Sequence, residues 1–87
     1  MYDITKYTFD KAKEIGLEIK PSTNRKKKID VFADGEKIAS IGAYGYLDYP
    51  FYVLTKGRDY ANKRRELYYR RHTKVTLNEI LAKWLLW

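Results

Sequence analysis

Between Lys56 and Lys74 the chain carries eight basic residues (Lys56, Arg58, Lys63, Arg64, Arg65, Arg70, Arg71 and Lys74) against two acidic ones, Asp59 and Glu66. Four rings, Tyr60, Tyr68, Tyr69 and His72, sit among them. This stretch limits the fold more than any other, because each unpaired cation buried in a core would cost several kcal/mol. The segment must therefore face water or a negatively charged partner. It also supplies most of the formal net charge of +7. The positive field is concentrated, which points to a binding surface before it points to a reaction.

Eighty-seven residues make one domain, spanning residues 1–87, of a size that folds alone only marginally. The apolar fraction of 45 % and aromatic fraction of 16 % argue against disorder. Cysteine is absent, so disulfides and thiolate metal sites are excluded. The segment Met1-Tyr-Asp-Ile-Thr-Lys6 lacks the apolar run of a signal peptide, so a protein that is not secreted is expected. No run approaches the ~20 apolar residues of a membrane span. A pI near 9.6 makes nucleic acid the first partner to consider, ahead of an acidic protein or a membrane surface.

Along the chain, Phe9 to Ile15 reads as a helix capped by Thr8, with Phe9, Ala12 and Ile15 on its inner face and Gly16 as its left-handed stop. Leu17 to Lys20 alternates as a strand. A polar loop then carries the cation run Arg25, Lys26, Lys27 and Lys28. Lys28–Ala33 and Glu36–Ala43 flank Asp34-Gly35, a strong two-residue hairpin signal. The simplest register opposes Val31 to Ile38 and Ile29 to Ser40, giving an apolar patch of Ile29, Val31 and Ile38.

After a glycine-rich turn containing Tyr44 and Tyr46, Asp48 and Pro50 mark the start of a helix over Tyr49–Lys56, with Gly57 a break or kink. A second stretch runs from Asp59 to His72. On it Lys63, Arg70 and Lys74 fall on one line and Arg64 and Arg71 on its neighbour, while Ala61 and Tyr68 face inward. Pairs Asp59–Lys63 and Glu66–Arg70 are available at i,i+4. Finally, Thr76-Leu-Asn-Glu79 is a capping box, followed by a stripe of Leu77, Ile80, Leu81, Trp84 and Leu85 that leaves Leu86 pointing away. The fold class is α+β: a small antiparallel sheet (a strand plus the hairpin over residues 28–43) with an N-terminal helix and two C-terminal helices.

Candidate nucleic-acid contacts are Arg25, Lys26, Lys27, Lys63, Arg64, Arg65, Arg70, Arg71 and Lys74. Arginine suits phosphate because its planar fork donates two parallel hydrogen bonds. Tyr44 and Tyr46 would stack on bases if exposed, but packing on the sheet is the commoner arrangement and is expected here. Trp84 and Trp87 either complete the core or form a docking anchor. His72 is the single histidine, which with no cysteine argues against a metal site, and no cofactor motif is present. A small basic domain also raises the question of a metal-dependent nuclease. Glu18-Ile-Lys20 has the Glu-x-Lys spacing of the restriction type, with Asp30 on a neighbouring strand, but it precedes the acid instead of following it. No catalytic residues are therefore assigned.

The segments Lys28-Ile-Asp-Val-Phe32, Asp34-Gly35, Ser40-Ile-Gly-Ala-Tyr-Gly45, Asp48-Tyr-Pro50, Arg64-Arg-Glu-Leu-Tyr68, Arg71-His72 and Trp84-Leu-Leu-Trp87 together resemble a family of short basic proteins. These are encoded by large double-stranded DNA viruses of the algal-virus and giant-virus kind, with looser relatives in tailed phages. The likeness runs from about Lys20 to Trp87, in the order and spacing of the pieces. Similar members often carry a longer glycine- and aromatic-bearing stretch between the Arg-His pair and the final tryptophans than Thr73–Lys83 here. The resemblance implies a non-enzymatic protein located in the virion or the host-cell interior. Its partner would be the phosphate backbone of DNA or RNA, or capsid and other virion proteins in a minor-capsid or cement role.

Overall fold

The computed structural model describes residues 2–87. Among these, a helix precedes a three-stranded antiparallel sheet in the order β1-β2-β3, and three helices follow it. The elements are α1 (Lys6–Glu14), β1 (Glu18–Pro21), β2 (Lys27–Ala33), β3 (Glu36–Ala43), α2 (Tyr49–Lys56), α3 (Arg58–Arg71) and α4 (Leu77–Leu86). The α+β expectation holds, with one more C-terminal helix than foreseen. Gly57, at φ +91, breaks the helical run completely, so α2 and α3 form a hairpin packed on each other.

Helix α1 begins a turn earlier than its sequence suggested. Thr5, not Thr8, is the N-cap, its hydroxyl accepting from the Thr8 amide at 3.3 Å. Thr8 is instead fully buried, and the inward line is Thr8 and Ala12, while Phe9 is 48 % exposed and Ile15 is also exposed. Small residues on this line let α1 approach α4 closely. The helix ends in a Schellman motif at Gly16: the Leu17 amide donates to the Ala12 carbonyl at 3.0 Å and the Gly16 amide to that of Lys13 at 3.1 Å.

The hairpin turns where expected, with both Asp34 (φ +51) and Gly35 (φ +81) left-handed as a two-residue turn of this twist requires. Its register does not hold. Ala33 opposes Glu36 and Phe32 opposes Lys37, but a bulge then places Val31 opposite Ala39 and Ile29 opposite Ile41. One extra residue flips every later side chain to the other face. Ile38 is therefore expelled to solvent, and the buried face of the sheet is Ile19, Ile29, Val31, Ala39 and Ile41.

Helix α4 covers that face with Leu81, Ala82, Leu85 and Leu86, and Ala12 joins from α1. The expected stripe is thus rotated. Leu86 is 1 % exposed, whereas Leu77, Ile80 and Trp84 lie at or near the surface. Thr76 does cap α4 through the Glu79 amide at 3.3 Å, but the Glu79 carboxylate turns to His72 and does not close the box.

Two buried carboxylates brace the frame. Asp30 accepts from the hydroxyls of Ser22 and Ser40, each at 2.7 Å, and from the Thr23 amide, with Lys37 at 3.8 Å. Burial alone would raise its pKa, but these donors and Lys37 together hold it below the ordinary carboxylate value. Asp48 sits at the N-cap of α2 without capping it. Its side chain accepts from the Tyr2 hydroxyl at 2.5 Å and from Lys28 Nζ at 3.1 Å, an ion pair almost fully removed from water.

Candidate nucleic-acid interface

A cleft of about 390 Å³ opens where one end of the sheet meets α3, α4 and the 44–47 turn. Two elements deliver cations to it. Lys27 is the first residue of β2, and Arg64 and Arg71 lie seven apart on α3, on the same side as Tyr68. Among the described residues no carboxylate lies within 4 Å of any of the three as an ion-pair partner. Lys28 also lines the cleft, but its charge is matched by Asp48.

The wall behind these cations is aromatic. Tyr68 is sandwiched between Trp87, at 4.5 Å and 12° between planes, and His72, at 4.0 Å and 21°. Burial, followed by the neighbouring charge of Glu79 and by Tyr69, pushes the Tyr68 hydroxyl up to about 12, so it remains a neutral donor at physiological pH. Arg64 lies 5.4 Å from the Tyr52 ring, and its Nε is buried without a hydrogen-bond partner, leaving the terminal amino groups as available donors. Glu79 is the one opposing charge in the lining, and His72 Nδ1 stands 3.3 Å from it. His72 itself caps α3, its amide donating to the Tyr68 carbonyl.

The expected cations do not form one face. Arg65 turns away from its neighbour Arg64, as a 100° step around a helix dictates. It stacks on Tyr49 at 3.6 Å, its Nη2 lies 3.4 Å from the Tyr7 hydroxyl, and with Arg58 it lines a separate, more open groove. Lys63 and Arg70 project outward from α3, and Arg70 is paired with Glu66 at 2.6 Å as the spacing foretold. The Asp59–Lys63 pair does not form among the described residues. Lys74 lies beyond the end of α3, so it does not share the line of Lys63 and Arg70. Arg25 and Lys26 are exposed in the β1–β2 loop, where the Lys26 carbonyl accepts from the Tyr44 amide at 3.0 Å and ties that loop to the aromatic turn.

The aromatic residues depart further from expectation. Tyr44 and Tyr46 do not pack on the sheet. Tyr46 is 75 % exposed at the rim of the cleft, and neither hydroxyl has a hydrogen-bond partner among the described residues. Trp84 is 36 % exposed, its indole N–H donates to the Lys11 carbonyl at 2.9 Å, and Lys11 Nζ covers its ring at 4.0 Å. Trp87 is half-buried in the cleft wall. Trp87 is thus built into the cleft wall, while Trp84 is tied to α1 with part of its ring at the surface. The stack of Tyr68 with Trp87 and His72 is absent from the sequence reading; the i,i+4 spacing of Tyr68 and His72 is a signal for one half of it, and no spacing announces Trp87.

Glu18 and Lys20 pair with each other at 3.5 Å on the surface, while both oxygens of Asp30 are committed to the Ser22–Thr23 loop, Ser40 and Lys37. Asp30 thus serves as a loop brace, and among the described residues no cluster of three or more His, Asp or Glu side chains is arranged to hold a metal ion. No helix among them is long and apolar enough to cross a membrane. No family model, curated protein or solved structure matches the chain.

Proposed function

We propose that this protein binds nucleic-acid phosphate without reading sequence, using the cleft between the sheet end, α3 and α4. The observation that carries the proposal is the convergence of Lys27, Arg64 and Arg71, unpaired, on one aromatic-walled cleft. Phosphate contacts fix position and leave the bases unread. Each charge-assisted hydrogen bond contributes about 1.5–3 kcal/mol. On the strength of the resemblance in its sequence, the role is that of a non-enzymatic component of a DNA-virus particle. Arg25 and Lys26, exposed beside the turn, extend the positive field towards the rest of a strand, and Lys63, Arg70 and Lys74 supply a weaker outer field.

Fluorescence anisotropy of a labelled oligonucleotide at low salt tests this. Arg64→Ala/Arg71→Ala, which removes at least two such bonds, is expected to weaken binding by ~100-fold or more, and the outward pair Lys63→Ala/Lys74→Ala by less. No binding by folded wild type, or equal losses in the two variants, would overturn it.

An assembly role is the second reading, and one observation favours it. Val75, Leu77 and Ile80 form an exposed apolar row at and just before the start of α4. This row adds to the partly exposed Trp84 as docking surface. Sedimentation over a range of concentrations is expected to show association that Leu77→Ser/Ile80→Ser abolishes; a wild type that stays monomeric throughout removes self-assembly.

A further inference from the structure

Resting on the nucleic-acid reading of the cleft, we infer that its ligand is a single strand, with one base stacked on the ring of Tyr46 while the adjoining phosphate lies among Lys27, Arg64 and Arg71. Three features lead there. First, the site is concave and small. Its volume of about 390 Å³ falls at the low end of ligand pockets, which hold a small molecule or one nucleotide unit and not the width of a double helix. A duplex could offer it only a phosphate edge, because turning a paired base out of the stack costs a few kcal/mol. An unpaired strand pays no such penalty.

Second, Tyr46 is an unused aromatic surface. It is three-quarters exposed, and among the described residues its ring meets no other ring or cation, whereas Tyr68, Trp87 and Tyr52 already pack on neighbours. Third, Tyr46 is held in place at the cleft. Its amide donates to the Ala43 carbonyl at 3.4 Å across Gly45, whose φ of +97 closes the turn, and the preceding Tyr44 amide is bonded to Lys26. Ring and cations thus line one cavity. A cationic track beside an aromatic platform is the arrangement that takes single strands, since every base has a π-face.

The test compares a labelled, non-self-complementary oligonucleotide with its duplex at one salt concentration, using wild type, Tyr46→Ala, Tyr46→Phe and Arg64→Ala/Arg71→Ala. The single strand is expected to bind more tightly than the duplex. Tyr46→Ala is expected to lose about 5- to 150-fold on the single strand, the range for one stacked base, with little change on the duplex. Tyr46→Phe, which keeps the ring, should restore single-strand binding. The inference is overturned if Tyr46→Ala is silent on the single strand, or if the duplex binds as tightly. In that event a loss on both ligands in Arg64→Ala/Arg71→Ala would keep the phosphate reading standing. Absence of binding to either ligand by wild type overturns both.

Discussion

Replacing Gly42 by alanine tests the geometry of the cleft floor. Gly42 has φ +78, and a Cβ placed there would lie 2.7 Å from Leu86 Cδ1, 3.0 Å from Lys28 Cδ and 3.2 Å from Lys28 Cβ. Neither neighbour can yield easily. Leu86 is buried in the core, and Lys28 is fixed by its buried ion pair with Asp48. Two costs add. A left-handed backbone disfavours alanine by about 1–2 kcal/mol, and overpacking adds about 1–3 kcal/mol. Against them stands about 0.4–1 kcal/mol gained by restricting the unfolded chain. The net loss is about 1–5 kcal/mol, from a total of about 4–13 kcal/mol for a chain this long. Gly45 is the control, because its φ of +97 carries a similar backbone penalty but nothing lies within 4 Å of its Cβ position. Urea unfolding followed by circular dichroism should put the Gly42→Ala midpoint roughly 1 M below that of Gly45→Ala, with similar m-values. Coincident midpoints would refute the reasoning, since they would mean that Leu86 and Lys28 do not close on this position.

Other outcomes follow from the same structure. Leu86→Ala should destabilise by about 2–5 kcal/mol, and Leu77→Ala by less than about 1 kcal/mol, in the same unfolding assay; the reverse order would restore the unrotated stripe. Lys28→Met leaves Asp48 buried without its cation and should lose about 3–5 kcal/mol, although Tyr2 still donates to the carboxylate. Asp30 has a lowered pKa when folded, so its contribution is fully present above the unfolded value of about 3.9 and is lost as pH falls below that through the folded value. Wild-type stability should therefore drop in that window, and Asp30→Asn should be less stable near neutrality with a shallower acid slope, both read from midpoints against pH.

What the sequence made legible was local chemistry. Asp34-Gly35, Thr76, Gly16 and Pro50 each act through a few adjacent residues, and each marks a boundary that the fold keeps, whereas Asp48 stands at its boundary but binds the distant Tyr2 and Lys28. What failed depended on burial between distant elements. The bulge at Ile38 has no turn residue to announce it, and it arises because Ala39 and Ile41, not Ile38 and Ser40, fit beneath α4. Helix α4 offers two overlapping apolar stripes, and the buried one contains Ala82 and Leu86; periodicity gives no weight to a small residue such as Ala82. The same division applies to the site. A surplus of arginine without counter-ions could be read directly, but not that Arg64 and Arg71 would meet Lys27 while Arg65 stacked on Tyr49. That outcome rests on how α3 is rotated, which involves contacts with distant elements: Tyr68 with Trp87 on one side, and Arg65 and Asn62 with Tyr49 on the other.

The central claim is that Lys27, Arg64 and Arg71 act together on phosphate. Its most direct test is the slope of log affinity against log salt for a single-stranded oligonucleotide, in wild type and in Arg64→Ala/Arg71→Ala. Each lost phosphate contact removes about 0.7 from that slope, so the double variant should be shallower by roughly 1.4. An unchanged slope, or a wild-type affinity insensitive to salt, would contradict the account.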